Sequence, residues 1–241
     1  MSEETLHDGH GGKPRAGRLS IDLYSGEALS RQLVRELRNA IVTMRLLPGR
    51  VLSEQDIATS LGISRAPVRE ALIHLRDAGL IRVMPQRGTL VLKISAAAVE
   101  GARFIREAIE RAVAREAARH VTAAGLEQLG ENLEELSRIE EPDAFFAVDD
   151  SFHRLLAEIA LRPEAWRLIE DVKPQMDRVR YLSMEDPIPR ETILAHHTAI
   201  MKAVAAKDEA SAEEAMRKHL SAIIYSLPRL AARYAELFDT Q

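Results

Sequence analysis

The 241-residue chain contains no cysteine, which excludes disulfides and thiolate metal sites and permits a reducing, cytoplasmic compartment. Aromatic residues make up 4% of the chain against 46% hydrophobic residues. The core must therefore be built mostly from Leu, Ile, Val and Ala, a composition that favours helices. No apolar run approaches the roughly 18–20 residues needed to span a bilayer, and the N-terminus lacks the apolar segment of a secretory signal. A chain of this length is expected to form one or two domains.

The charge that is present is unevenly divided. The formal net charge of −4 has the wrong sign for a nucleic-acid binder. Residues 25–93, however, hold 11 Lys and Arg against 6 Asp and Glu, or +5, while residues 94–241 hold 19 against 27, or −8. Residues 1–24, with Gly9-His10-Gly11-Gly12-Lys13-Pro14, have no periodicity and are expected to be a disordered tail. The basic segment is the one suited to DNA, and the acidic segment must serve another purpose.

Within the basic segment, Glu27 to Leu46 carries Leu29, Leu33, Leu37, Ala40, Ile41 and Met44 on one helical face. Ser53 can cap a following helix whose Ile57, Ala58 and Leu61 are apolar, and Gly62 supplies the left-handed residue at its end. Ser64 can cap a second helix with Pro67 in its first turn. Val68, Ala71, Leu72 and Leu75 form the buried stripe of that helix, while Arg65 and Arg69 share a different face. Leu80 to Met84 and Thr89 to Lys93 alternate as strands around the turn Pro85-Gln86-Arg87-Gly88. The sum is a winged helix-turn-helix over residues 25–93. Arg65 and Arg69 suit the major groove, where the guanidinium fork matches a guanine edge. Arg87 at the wing tip suits a phosphate or the minor groove, and Arg45 is a lesser candidate for a phosphate contact.

These residues resemble the GntR family of bacterial transcription regulators. The matching elements are Leu47-Pro48-Gly49, Leu52-Ser53-Glu54, Leu61-Gly62-Ile63-Ser64-Arg65, Pro67-Val68-Arg69-Glu70-Ala71-Leu72, Gly79-Leu80-Ile81 and Gly88. The resemblance implies an operator-binding face that includes Ser64, Arg65 and Arg69. The family often carries Arg directly after the Glu of the first motif helix. Here Gln55 stands there, able to hydrogen-bond a base or phosphate without charge.

Residues 94–241 show only helical patterns, predicting an all-α bundle of about six helices and a mainly α protein overall. Pro174 is expected to kink the helix running from Pro163 to about Met184, and Pro228 to kink the last one. Asp149 and His153 lie four apart in one helix, with His197 and His219 on two others. Such a set can form a metal site in the core of a bundle, but on spacing alone the signal is weak, since an isolated histidine is usually a surface or satisfied core residue. Resemblance to the FCD ligand-sensing domain of the FadR-type branch, and to its VanR-like subgroup, goes further. Asp149-Asp150-Ser151-Phe152-His153, His197-Thr198-Ala199-Ile200 and His219-Leu220 are similar to that domain's metal elements, implying Asp149, His153, His197 and His219 as ligands. Zinc, nickel or manganese suits them. Arg106 resembles the family arginine that reaches the effector pocket, the alternative being an ion pair with Glu110; Arg178 and Arg180 are further pocket candidates. His196 is expected to point away from His197.

Together these readings imply a ligand-responsive regulator rather than an enzyme. It is expected to be a repressor that binds an inverted-repeat operator as a homodimer and takes a metal and a small organic acid in residues 94–241. A metal-responsive regulator without an organic ligand is the alternative. A metal-dependent hydrolase is less favoured, because no HExxH pattern supplies a general base.

Overall fold

The computed structural model describes residues 19, 21–23, 26–183 and 190–239, without the side chains of 223–226. Most of the expected tail, and the loop expected around Pro187 and Pro189, lie outside the described residues. Leu19 and Ile21 pack against the first core. In chain order the elements are α1 (Leu29–Val42), β1 (Val51–Leu52), α2 (Glu54–Leu61), α3 (Arg65–Asp77), β2 (Ile81–Met84), β3 (Gly88–Val91), α4 (Ala96–His120), α5 (Ala123–Arg138), α6 (Pro142–Ile159), α7 (Pro163–Val172), α8 (Pro174–Ser183), α9 (Arg190–Ala205) and α10 (Glu209–Arg233), followed by a short 3-10 turn. Among the described residues no helix is long and apolar enough to cross a membrane.

The first domain is a winged helix-turn-helix. The Ser53 side chain accepts from the Asp56 N–H at 3.2 Å, and Gly62 ends α2 with φ +66°. Ser64 occupies the N-cap position of α3 but makes no capping hydrogen bond with its side chain, so the cap expected there is absent. Helix α1 stops earlier than its apolar pattern suggests, because Thr43 and Met44 break off and Met44 takes φ +58°. Leu33, Leu37, Ile41, Val68, Ala71 and Leu75 are fully enclosed between α1 and α3. The three-stranded antiparallel sheet has the order β1-β3-β2, with β2 and β3 paired from Ile81↔Val91 to Met84↔Gly88.

Among the described residues the second domain has seven helices, where about six are expected. Pro174 ends one helix and starts another instead of kinking a single one. Its missing N–H and ring bulk prevent α7 from continuing, and the chain restarts as α8 with Pro174 in the first position, where no donor is needed. Pro228, in contrast, lies inside an unbroken α10. The core of this bundle joins α4, α5, α6, α7, α9 and α10 around Phe152, Leu156, Trp166, Ile200 and Met216.

A third cluster binds the domains together. Met44 from the end of α1 packs with Ile94, Val99, Met176, Val179, Leu230 and Phe238. The linker is clasped by the C-terminal segment: Ile94 N–H donates to the Leu237 carbonyl at 2.9 Å and Asp239 N–H to the Ile94 carbonyl at 2.9 Å. The junction is therefore a packed core.

Gly88 is the position in the wing where no side chain is tolerated. Its φ is +92°, and a Cβ there would lie 2.8 Å from Val51 Cγ1 and 2.9 Å from the Leu52 carbonyl oxygen. Gly88→Ala is expected to destabilise the first domain by about 1–3 kcal/mol, the usual cost of such backbone strain, with the clash adding to it. Denaturant unfolding followed by circular dichroism checks this; an unchanged midpoint would contradict the close approach of β1.

Candidate functional site

Two regions bear function-related side chains. The first is the outer face of α3. Arg65 and Arg69 are exposed, as expected for one helical face, and both bond the carboxylate of Glu54 on α2. Arg65 donates through Nε at 2.9 Å, and Arg69 through Nε at 3.3 Å and Nη2 at 3.1 Å. Ser64 and Gln55 are exposed beside them, with the Gln55 amide donating to Thr59 Oγ1 at 3.2 Å. Arg87 stands exposed in the wing turn. Arg45 differs from its expectation as an open phosphate contact. Its guanidinium is half-buried and held by Glu36 at 3.1 Å and Thr43 at 3.3 Å, because the early end of α1 folds Arg45 back along that helix.

The second region lies inside the helical domain. The i, i+4 spacing on α6 brings Asp149 and His153 to one face, and α9 and α10 deliver His197 and His219 opposite them. One ligand atom from each of the four lies within 4.8 Å of the others. Asp149, His153 and His197 are buried. His153 Nε2 and His219 Nε2 face each other at 3.2 Å, and His197 Nε2 is 3.4 Å from Asp149 Oδ1. Among the described residues, both nitrogens of His197 and Nδ1 of His219 are buried without a hydrogen-bond partner. Two imidazole nitrogens facing each other, with unpartnered imidazole nitrogens beside them, fit a shared cation. The orientation has further support: the ring of His197 stacks on Phe152 at 4.0 Å between centroids, and His153 Nδ1 meets the carboxylate of Glu110. An acid on the remote nitrogen fixes the tautomer that leaves Nε2 free for a metal.

Glu110 also takes Arg106 through Nε, so the ion pair weighed as the alternative for Arg106 exists. It does not exhaust the guanidinium. Arg106 lines a cavity of about 80 Å³ beside Asp149 and His219, and its Nη2 is buried without a partner among the described residues. Arg180 lines the same cavity and bonds Asp149 through Nη2, with Nη1 at 2.9 Å from Asp177 and 3.3 Å from Asp150. Lys173 completes this group on Asp150 and Asp177. Arg178 is different. Two residues from Arg180, it points some 200° away around the helix, does not line the cavity, and is fully buried, its bonded partner among the described residues being Gln175 Oε1 at 3.3 Å. The structure does not bring it to this cavity. The sequence reading missed Arg190, which reaches the cavity wall from the start of α9 and lies over the Phe145 ring. His196, expected to point away from His197, also lines the cavity, next to His219.

The electrostatics follow from burial and pairing. Burial opposes ionisation of Asp149, but the Arg180 guanidinium outweighs it and holds the carboxyl at about 2. Glu110 is likewise raised by burial yet brought to about 2 by Arg106 and His153. Burial pushes the His197 imidazole down to about 3 and that of His219 well below its ordinary value. Both rings are therefore neutral, the form that binds a metal.

A pH dependence follows for the metal-free protein. The unfolded chain protonates His197 near its ordinary value of 6.5, while the folded protein refuses the proton until about 3. The unfolded state thus binds the extra proton between those values, and stability falls as pH is lowered through that window. Asp149 and Glu110, ordinarily at 3.8 and 4.5, extend the loss toward pH 2. Thermal unfolding of chelator-treated protein is expected to show a midpoint that drops steadily below about pH 6.5; a flat profile down to pH 4 would contradict a buried neutral His197.

With this geometry established, comparison with known proteins is informative. Residues 29–91 match the model of bacterial regulatory proteins, gntR family, and residues 103–222 match the FCD domain. The chain is 41% identical to the HTH-type transcriptional repressor RspR of Escherichia coli K12, over 92% of this chain and 99% of that one. It is 34% identical to an HTH-type regulator from an unstable DNA locus of Streptomyces ambofaciens, over 90% and 92% of the two chains. Among solved structures, McbR/YncC of E. coli superposes with a TM-score of 0.73 at 22% identity, covering 86% of this chain and 99% of that one. A putative GntR regulator from Rhodococcus sp. RHA1 gives 0.68 at 22%, covering 85% and 98%. At these identities the two structures speak for the fold alone. The chain belongs to the GntR family of bacterial transcription regulators, in its FadR-type branch with an FCD domain, and is a DNA-binding regulator rather than an enzyme.

Proposed function

We propose that this regulator is a repressor released from its operator by a small carboxylate that binds beside a divalent metal ion. The observation that carries the reading is that the Asp149, His153, His197 and His219 group borders, through Asp149 and His219, a cavity walled by Arg106 and Arg180. The four side chains would hold zinc, nickel or manganese, and the bound ion would supply a Lewis-acidic partner for a carboxylate. Arg106, through its unpartnered Nη2, would take the same carboxylate by a charge-assisted hydrogen bond. A water needs roughly 10–15 Å³ of such space, so the cavity suits an acid of a few heavy atoms.

The DNA contacts in this reading are Arg65 and Arg69 in the major groove, Ser64 and Gln55 beside them, and Arg87 on the wing. A homodimer would set two such faces on an inverted repeat about one helical turn apart. Helix α8 joins the two functions. Arg180 near its end touches Asp149, while Gln175 in its first turn donates through Nε2 to the Gly79 carbonyl at 2.6 Å. Gly79 lies between α3 and the wing. A ligand that draws Asp149 or Arg180 into new contacts would shift α8, and with it the seat of α3. The direct Asp149–Arg180 contact also favours a second reading, in which the metal alone moves α8 and no organic ligand is needed.

Elemental analysis of tag-free protein is expected to find about one divalent ion per chain, lost in the His153→Ala, His219→Ala double variant; full retention would rule out the ligand set. A panel of small carboxylates is expected to raise the melting temperature of the metal-loaded protein and to release the operator, with Arg106→Ala losing the response. Release by metal alone, with no carboxylate effect, would select the second reading. Gln175→Ala is expected to keep both metal and carboxylate binding but weaken the coupling between carboxylate and operator about ten-fold, within the range typical of allosteric proteins. Unchanged release by the carboxylate in that variant would exclude α8 as the link.

A further inference from the structure

Glu54 is an acid in the middle of a surface that must approach polyanionic DNA. It does not serve as a helix cap, a task already met by Ser53, and it belongs to no buried core. Its carboxylate instead receives three hydrogen bonds from the two arginines of the α3 face, Arg65 Nε at 2.9 Å, Arg69 Nη2 at 3.1 Å and Arg69 Nε at 3.3 Å. Exposed ion pairs add little stability, and a negative charge here weakens attraction to phosphate. The arrangement must be judged by what it does to the arginines.

We propose that Glu54 is a positioning residue that sets operator specificity: it grips Arg65 and Arg69 by their Nε edges and presents their outer Nη forks toward base edges. A guanidinium has two usable edges. With the Nε side occupied, the end fork of Nη1 and Nη2 is the one left to meet the O6 and N7 acceptors of guanine. Among the described residues, neither fork has another protein partner. A free arginine swings to the nearest phosphate and adds affinity for any sequence. One held by a carboxylate gives up that adaptability, trading non-specific affinity for discrimination. Position in the first turn of α2 keeps Glu54 itself in place, since a carboxylate is favoured near a helix N-terminus. The inference rests on the reading that the Arg65 and Arg69 face meets DNA.

The test uses full-length protein, a duplex that the wild type selects from a randomised pool, and a shuffled duplex of equal length. Glu54→Gln is expected to bind the shuffled duplex several-fold more tightly, with a steeper salt dependence. Its selected-to-shuffled affinity ratio is expected to fall by about ten-fold or more, the scale of one lost bidentate base contact. Glu54→Asp keeps the charge but is one methylene too short to reach both arginines. Its ratio is expected to fall without any gain on the shuffled duplex, which separates orientation from net charge. Wild-type ratios in both Glu54 variants, with Arg65→Ala and Arg69→Ala losing discrimination, would overturn the role of Glu54 and leave the reading face standing. Wild-type ratios in the two arginine variants would overturn the face itself, and the proposal with it.

Discussion

The contact between Arg180 and Asp149 is the constraint around which the helical domain is arranged. It lies at the centre of a buried group of four carboxylates, Glu110, Asp149, Asp150 and Asp177, set against Arg106, Lys173 and Arg180. Burying charges is costly unless they are paired, and in this group each of the four carboxylates meets a cation. A divalent ion held by Asp149, His153, His197 and His219 would add positive charge to the group, and an anionic acid beside it would offset that charge. In the proposed reading, metal and carboxylate are therefore not independent ligands. Each makes the other easier to bury, which gives a physical reason for a metal in a domain that performs no catalysis.

The same contact explains why α8 is a separate helix. A continuous helix from Pro163 would carry the register of α7 into the cavity. The break at Pro174 frees the later segment to take its own direction, with Arg180 facing Asp149 and Met176 and Val179 in the core that also holds Met44 and Ile94. The linker is buried and clasped by the C-terminal segment. Movement of α8 has little slack to absorb it, because close-packed interfaces shift between discrete arrangements rather than deform smoothly.

How much of this could be read from the chain depended on distance in sequence. The winged helix-turn-helix was legible because its signals are local: Ser53 before α2, Gly62 after it, Pro67 in the first turn of α3, and a glycine in the wing. Asp149 and His153 were legible as a pair because four residues make one helical turn. The partners that give these residues their function lie far away. Arg180 meets Asp149 across 31 positions, and Gln175 meets Gly79 across 96; no periodicity encodes either. Arg178 and Arg180 looked equivalent as letters, and only the helical phase of α8 separates the buried one from the one in the cavity. Whether a proline kinks or ends a helix was likewise undecided locally. Pro228 sits within α10 while Pro174 divides α7 from α8, because packing determines whether the lost hydrogen bond can be accommodated.

Arginine is used in one way in both domains. On α3, Glu54 takes the Nε side of Arg65 and Arg69; in the cavity, Glu110 takes Nε of Arg106, whose Nη2 has no partner. In each case an acid holds one edge of a planar fork and leaves the other edge for a ligand. A long side chain loses much rotamer freedom when it binds, and an arginine already held by an acid has lost part of it before the ligand arrives. The guanidinium is suited to this because its two edges are rigidly related; an ammonium, with no such edges, would not transmit the orientation. The environments then divide the outcome. At the exposed surface the held fork favours selectivity among DNA sequences over affinity for all of them. In the buried cavity, where an unpaired donor is costly, the same device favours a ligand that brings an oxygen acceptor to Nη2.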